Sequence, residues 1–199
     1  MKAARHAFRS GAHADALEKY LWFHHHALEH DRALRGVRLS YAISEWLDLG
    51  RVYPPALTAL EAVQTESQLA LQRGSTEWTT FNDFASVNEA LDRFELTSQI
   101  FEEIAADRIK FARVCFPCAV KSLIHSGRYT LARSFVPHPK EPLDGRLANL
   151  ASAINEGPPA DFHKIVIDLY ARELRLMMRI FEGVGEHKEA ELFRSKAIG

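Results

Sequence analysis

Two runs in this 199-residue chain carry residue types that could do chemistry. The first is His24-His25-His26-Ala27-Leu28-Glu29-His30. Within it, His26-x-x-Glu29-His30 matches the inverted zincin pattern. On a helix His26 and His30 stand one turn apart and could share a zinc ion while Glu29 activates water, with Glu102 or Glu103 as a third ligand. Three specified residues make a short motif, and that protease scaffold needs strands this sequence does not offer. Consecutive histidines on a helix also point three ways, so some are expected to pack beside Trp22 and Phe23 and others to be solvated. His26 and His30 therefore stay metal candidates only, and neither a catalytic residue nor a cofactor is assigned. The second run is Cys115-Phe116-Pro117-Cys118, with the two-residue spacing of redox and zinc motifs. It falls mid-helix rather than after a strand, and two further zinc ligands are lacking, so it reads as two small buried residues beside a proline.

Charge patterning points to binding rather than catalysis. Arg32, Arg35 and Arg38 recur every third residue and define a basic stripe beside a buried helix face. Arg172, Arg175 and Arg179 define a similar stripe late in the chain. Such a stripe could receive an acidic partner segment, although it could equally be a solvated face. Trp46 fits a core period. Trp78 falls in the polar stretch 74–80, read as a loop, and becomes a candidate partner contact. There is no phosphate-binding glycine loop, nucleophile elbow or dinucleotide fingerprint. The formal charge of −1 argues against a general nucleic-acid binder, which would carry a basic excess. Two cysteines make no disulfide framework, no apolar run reaches membrane-spanning length, and the first residues lack a signal-peptide core, so a cytoplasmic location is expected.

The elements that position these residues are helices. Apolar residues recur at three-to-four spacing almost throughout, and no segment alternates with period two, which predicts an all-α chain of about eleven helices. One helix runs from His13 to His30. The next starts after Asp31 as N-cap and reaches Leu49, with Gly50 as its C-terminal cap. Pro54-Pro55 opens another, which Gly74 ends. Phe81 opens a fifth segment, and a sixth covers about Glu95 to Ala105. Asp107 caps a seventh, in which Pro117 should kink or break the helix near Arg113 to Phe116. Beyond Gly127, a short helix ends before Pro137-His138-Pro139. Leu143, Leu147, Leu150 and Ile154 mark a further helix, and Gly157-Pro158-Pro159 separates it from a long one, about Asp161 to Phe181. Glu186 to Ala197 is the last.

A turn pattern recurs along the chain. Gly127-x-Tyr129-x-x-Ala132 continues to Phe135. Gly11-x-His13-x-x-Ala16 continues to Tyr20, and Gly185-x-His187-x-x-Ala190 to Phe193. Asp92-Arg93-Phe94 leads to Thr97 and Ile100, and Gly50 leads to Tyr53 and Ala56 with one residue extra. The first four copies lie about 35 to 42 residues apart, which suits paired-helix repeats. Glycine allows the reversal, the ring closes over the turn, and the small residue lets two helices approach. Gly127-x-Tyr129-x-x-Ala132 resembles the turn and second-helix start of a tetratricopeptide-type repeat, and Gly11-x-His13-x-x-Ala16-x-x-x-Tyr20 is similar with histidine in the aromatic position. The likeness touches most of the chain but is degenerate, with variable helix lengths and a region near 137–160 that departs from the period. It implies a single domain over residues 1–199, a tetratricopeptide-like α-solenoid whose antiparallel helix pairs form a right-handed stack. It also implies a surface that binds a protein or peptide. It carries over no catalytic residue. The expected role is a non-catalytic interaction module, whether adaptor, chaperone or inhibitor. The alternatives are a zinc-dependent hydrolase using His26, Glu29 and His30, and a structural domain that pairs with a second copy of itself.

Overall fold

The computed structural model describes residues 1–136 and 160–198, and the described residues are all-α. They group into two compact units, Met1–Cys118 and Ala119–Gly199, where the sequence reading has one domain. The expected Pro137-His138-Pro139 turn, the helix marked by Leu143, Leu147, Leu150 and Ile154, and the Gly157-Pro158-Pro159 break lie outside the described residues. No helix among the described residues is long and apolar enough to cross a membrane.

The first unit opens with α1 (Lys2–Arg9) and α2 (His13–His30), which pack on each other. The single helix expected from Asp31 to Leu49 is divided. Asp31 accepts from the Ala33 N–H at 2.8 Å and caps a 3₁₀ turn, Arg32–Leu34. This runs into the five-residue α3 (Arg35–Leu39), and Ser40 interrupts before α4 (Tyr41–Val52). Gly50 is not a cap. It lies buried inside α4, where a Cβ would stand 3.2 Å from Leu57 Cβ and 3.3 Å from the Leu57 backbone, so it serves the close approach of α4 to α5 (Pro54–Gln72). Pro54 and Pro55 begin α5, where a missing N–H costs little.

Next come α6 (Trp78–Ala90), α7 (Phe94–Asp107) and α8 (Ile109–His125). Asp107 is the last residue of α7 rather than the cap of α8. Arg108, between these two helices, donates to the Leu71 and Ser75 carbonyls at 3.1 and 2.8 Å. A cation there satisfies carbonyls left over at the end of α5 and suits the negative end of its dipole. The expected break at Pro117 does not occur: α8 is helical from end to end, with Pro117 exposed. An exposed face lets water serve the carbonyl that a proline leaves without its helical donor.

The core of the first unit gathers Tyr20, Ile43, Trp46, Leu49, Leu60, Val63 and Val87 from α2, α4, α5 and α6. Trp46 is 1% exposed, stacks on Tyr20 at 6.4 Å between centroids, and donates its indole N–H to the Ala56 carbonyl at 2.8 Å. The burial therefore leaves no polar atom of that ring unpaired.

The second unit holds the end of α8, then α9 (Tyr129–Phe135), α10 (Ala160–Gly183) and α11 (His187–Ile198). Here α10 packs on both α9 and α11. Phe181 and Phe193 stack at 5.2 Å, and the Arg133 guanidinium lies 5.0 Å above Phe181 while pairing with Glu186 at 2.9 Å. The Tyr129 ring packs against Gly183, where an added Cβ would clash with it.

Four of the recurrent turns share one local geometry. Gly11, Asp92, Gly127 and Gly185 have φ of 79°, 55°, 68° and 79°. At each, the next residue's N–H bonds back to the carbonyl five residues earlier: Ala12 to Ala7, Arg93 to Asn88, Arg128 to Leu123 and Glu186 to Phe181, at 2.8–2.9 Å. That is the hydrogen bond of a Schellman termination, which requires a left-handed residue at the end of the helix. The small residue five positions on is buried in every case, as Ala16, Thr97, Ala132 and Ala190. The Gly50 position departs from this geometry, because the helix runs straight through it.

Candidate functional site

A recess in the first unit lies among α2, α3, α5 and α6 and has a volume of about 210 Å³. Its polar lining comes from His24, His25, Arg38, Glu66, Ser67, Thr80 and Asp83. His24 and Arg38 arrive for local reasons. His24 follows Ala16 and Tyr20 at four-residue spacing, so the helical period turns it to the core, where it is 5% exposed and meets Trp46 edge to face at 6.0 Å. His25, one position on, is exposed at the edge. The short α3 turns Arg38 inward to 6% exposure, and Asp83 on α6 meets it with both oxygens: Nη1 to Oδ1 at 2.9 Å and Nη2 to Oδ2 at 2.5 Å. This fork-to-fork geometry is the strong form of a guanidinium–carboxylate pair.

Burial sets the electrostatics. It pulls the His24 imidazole down to about 3, with the positive Arg38 and the neighbouring His25 adding to the effect. His24 is therefore neutral at pH 7, and its Nδ1 has no hydrogen-bond partner among the described residues. Burial also raises the Asp83 carboxyl to about 6, with Arg38 and Arg35 pulling the other way. The Nε atoms of Arg35 and Arg38 are likewise buried without partners. Three nitrogen atoms without partners thus belong to residues of α2 and α3.

The residues singled out by sequence separate from one another. The expected basic stripe does not form one surface: Arg32 is exposed in the 3₁₀ turn, Arg35 is half-buried, and Arg38 is buried in the pair with Asp83. The 3₁₀ turn and the brevity of α3 rotate the three side chains away from a common face. Trp78 is not in a loop. It is the first residue of α6, half-buried, with the Arg35 guanidinium 5.0 Å above its ring. Such cation–π contacts contribute about 0.5–2 kcal/mol. Arg172 and Arg175 are exposed on α10, as is Arg179.

On the outer side of α2, Trp22 is 53% exposed, and the rings of His26 and His30 flank it at 5.4 Å each. His26 Nδ1 and Glu29 Oε2 are 3.1 Å apart. Glu102 and Glu103 are exposed on α7. Among the described residues, no group of three or more His, Cys, Asp or Glu could hold a metal ion. Cys115 is fully buried, and Cys118 donates to Asn82 Oδ1 at 3.2 Å. Burial raises both thiols, Cys115 to about 12 and Cys118 to about 11, so neither is a thiolate nucleophile at neutral pH.

Glu66, Thr80 and Asp83 carried no sequence signal. Asp83 lies 45 residues from its partner Arg38, and nothing local links the two. His24 was legible in principle, because the α2 period sends it to the same side as Tyr20 and Ala27. No protein-family model matches the chain, no curated protein matches its sequence, and no solved structure matches its fold.

Proposed function

We propose that this chain is a non-catalytic protein-binding module, built as a tetratricopeptide-like stack of antiparallel helix pairs, that meets its partner on the outer face of α2. The observation that carries the reading is Trp22. An indole left 53% exposed on a regular helix, flanked by His26 and His30 rings, leaves apolar area that a partner could cover. Covering it would gain about 25 cal/mol per Å² of apolar surface. The shared turn geometry at Gly11, Asp92, Gly127 and Gly185 supports the repeat element of the proposal. The neutral His24 and the high thiol values of Cys115 and Cys118 offer no activated nucleophile at pH 7.

The test is site-specific photocrosslinking. A photoreactive phenylalanine analogue at position 22 should give one discrete adduct in native lysate. Excess unmodified protein should compete the adduct away, and Trp22→Ala protein should not. An adduct competed equally well by both proteins would place the contact elsewhere, and no adduct in several growth conditions would refute the reading.

A further inference from the structure

We propose that the recess among α2, α3, α5 and α6 binds an organic cation, a primary ammonium or guanidinium group, held between the Glu66 carboxylate and the hydroxyls of Ser67 and Thr80. The inference concerns a site separate from the Trp22 contact and does not rest on it. Glu66, Ser67 and Thr80 all line the recess. Glu66 is exposed and has no ion-pair partner among the described residues. Arg38 and Asp83 hold each other, so their formal charges cancel. His24 is neutral and adds no repulsion. Counting the two carboxylates against the Arg38 guanidinium, the lining carries one net negative charge.

The hydroxyls accept hydrogen bonds readily, as does Asp83, since a carboxylate has lone pairs beyond the two that Arg38 uses. A cation in the recess would also lie near the Asp83 carboxylate, which lines it. Three features oppose this: the Arg35 guanidinium, the unpartnered Arg38 Nε–H, a donor that a cation does not satisfy, and the positive end of the α6 dipole at Trp78 to Thr80. Arg35 lies over Trp78 rather than in the lining, and an anion would have to sit beside two carboxylates, Glu66 and Asp83. A volume of about 210 Å³ equals the share of about seven liquid waters, room for a short alkyl chain with its head group. Val63 and Ala70 give that chain an apolar wall.

The test is an amide NMR titration of the full chain at pH 7 and low salt, with n-butylammonium, n-butylguanidinium and butyrate as probes. Either cation should give saturable shifts at Glu66, Ser67, Thr80 and their neighbours, while butyrate gives none. Glu66→Gln, at an exposed position, should keep the native spectrum and weaken cation binding about fivefold. Saturation by butyrate at the same residues, silence with both cations, or wild-type affinity in Glu66→Gln would each overturn the proposal. A capped Gly-Lys-Gly peptide run against 1,4-diaminobutane then distinguishes the sources. Tighter peptide binding assigns the site to a partner's basic side chain, and tighter diamine binding to a free amine. Either result upholds the cation.

Discussion

Acidification from pH 7.5 to 5.5 should destabilise the wild-type protein relative to a His24→Phe variant by about 1 kcal/mol. The folded His24 sits near 3 against an ordinary value of 6.5. A depressed folded value means that the unfolded chain binds the proton first, so this contribution is complete above 6.5 and is lost as the pH falls toward 3. At pH 5.5 the solution is one unit below the unfolded imidazole's ordinary value, which gives a loss of about 1 kcal/mol. Asp83 works with the opposite sign. Its folded value is raised from 3.8 to about 6, so acidification through that window favours the folded state. Over the same pH step this offsets part of the His24 loss in the wild type. The Asp83 effect is common to both proteins, so the difference between them on acidification reports His24 alone.

The other histidines and carboxylates are common to both proteins and cancel in the comparison. Phenylalanine keeps a ring against Trp46 and removes the unpartnered Nδ1, which itself costs about 1–3 kcal/mol when buried. The assay is urea unfolding of both proteins at the two pH values, followed by far-ultraviolet circular dichroism. Stabilities that change in parallel would refute the assignment of a buried, neutral His24.

Two further outcomes follow from the packing. Gly183→Ala should destabilise the protein by about 1–3 kcal/mol, because the new methyl meets the Tyr129 ring, and Tyr129→Leu in the same chain should recover part of that loss in thermal melts. Cys115 and Cys118, with thiols raised to about 12 and 11, should resist iodoacetamide at pH 7.5 in the native protein and react promptly in denaturant; fast native labelling read by mass spectrometry would contradict the burial of Cys115 and the raised thiol of Cys118.

The sequence was informative where physics is local. Pro54-Pro55 opens α5, Asp31 caps its turn, and Gly11, Gly127 and Gly185 take positive φ, because each effect is decided within a few residues. Local rules failed where a distant contact outweighed them. Gly50 looked like a stop, yet α4 continues, since the missing side chain is used to admit Leu57. Pro117 looked like a break, yet its exposed position lets α8 pass. Arg38 looked like part of a solvated stripe, but Asp83, unreadable as its partner, drew it inside. The recess was illegible for the same reason, because its lining comes from four helices whose faces meet only in the fold.

The Schellman turns have a consequence for how this chain finds its fold. At Gly11, Asp92, Gly127 and Gly185 the reversing hydrogen bond closes within six residues and waits for no distant strand or loop. Such closures form on the timescale of helix formation, well under a millisecond. The chain can thus enter its search with each of those corners already bent, and the slow step becomes the meeting of preformed hairpins. Asp92 is the costly corner. A non-glycine residue in the left-handed region is uphill by about 1–2 kcal/mol, so the hairpin of α6 and α7 should be the last of the four to hold its bend.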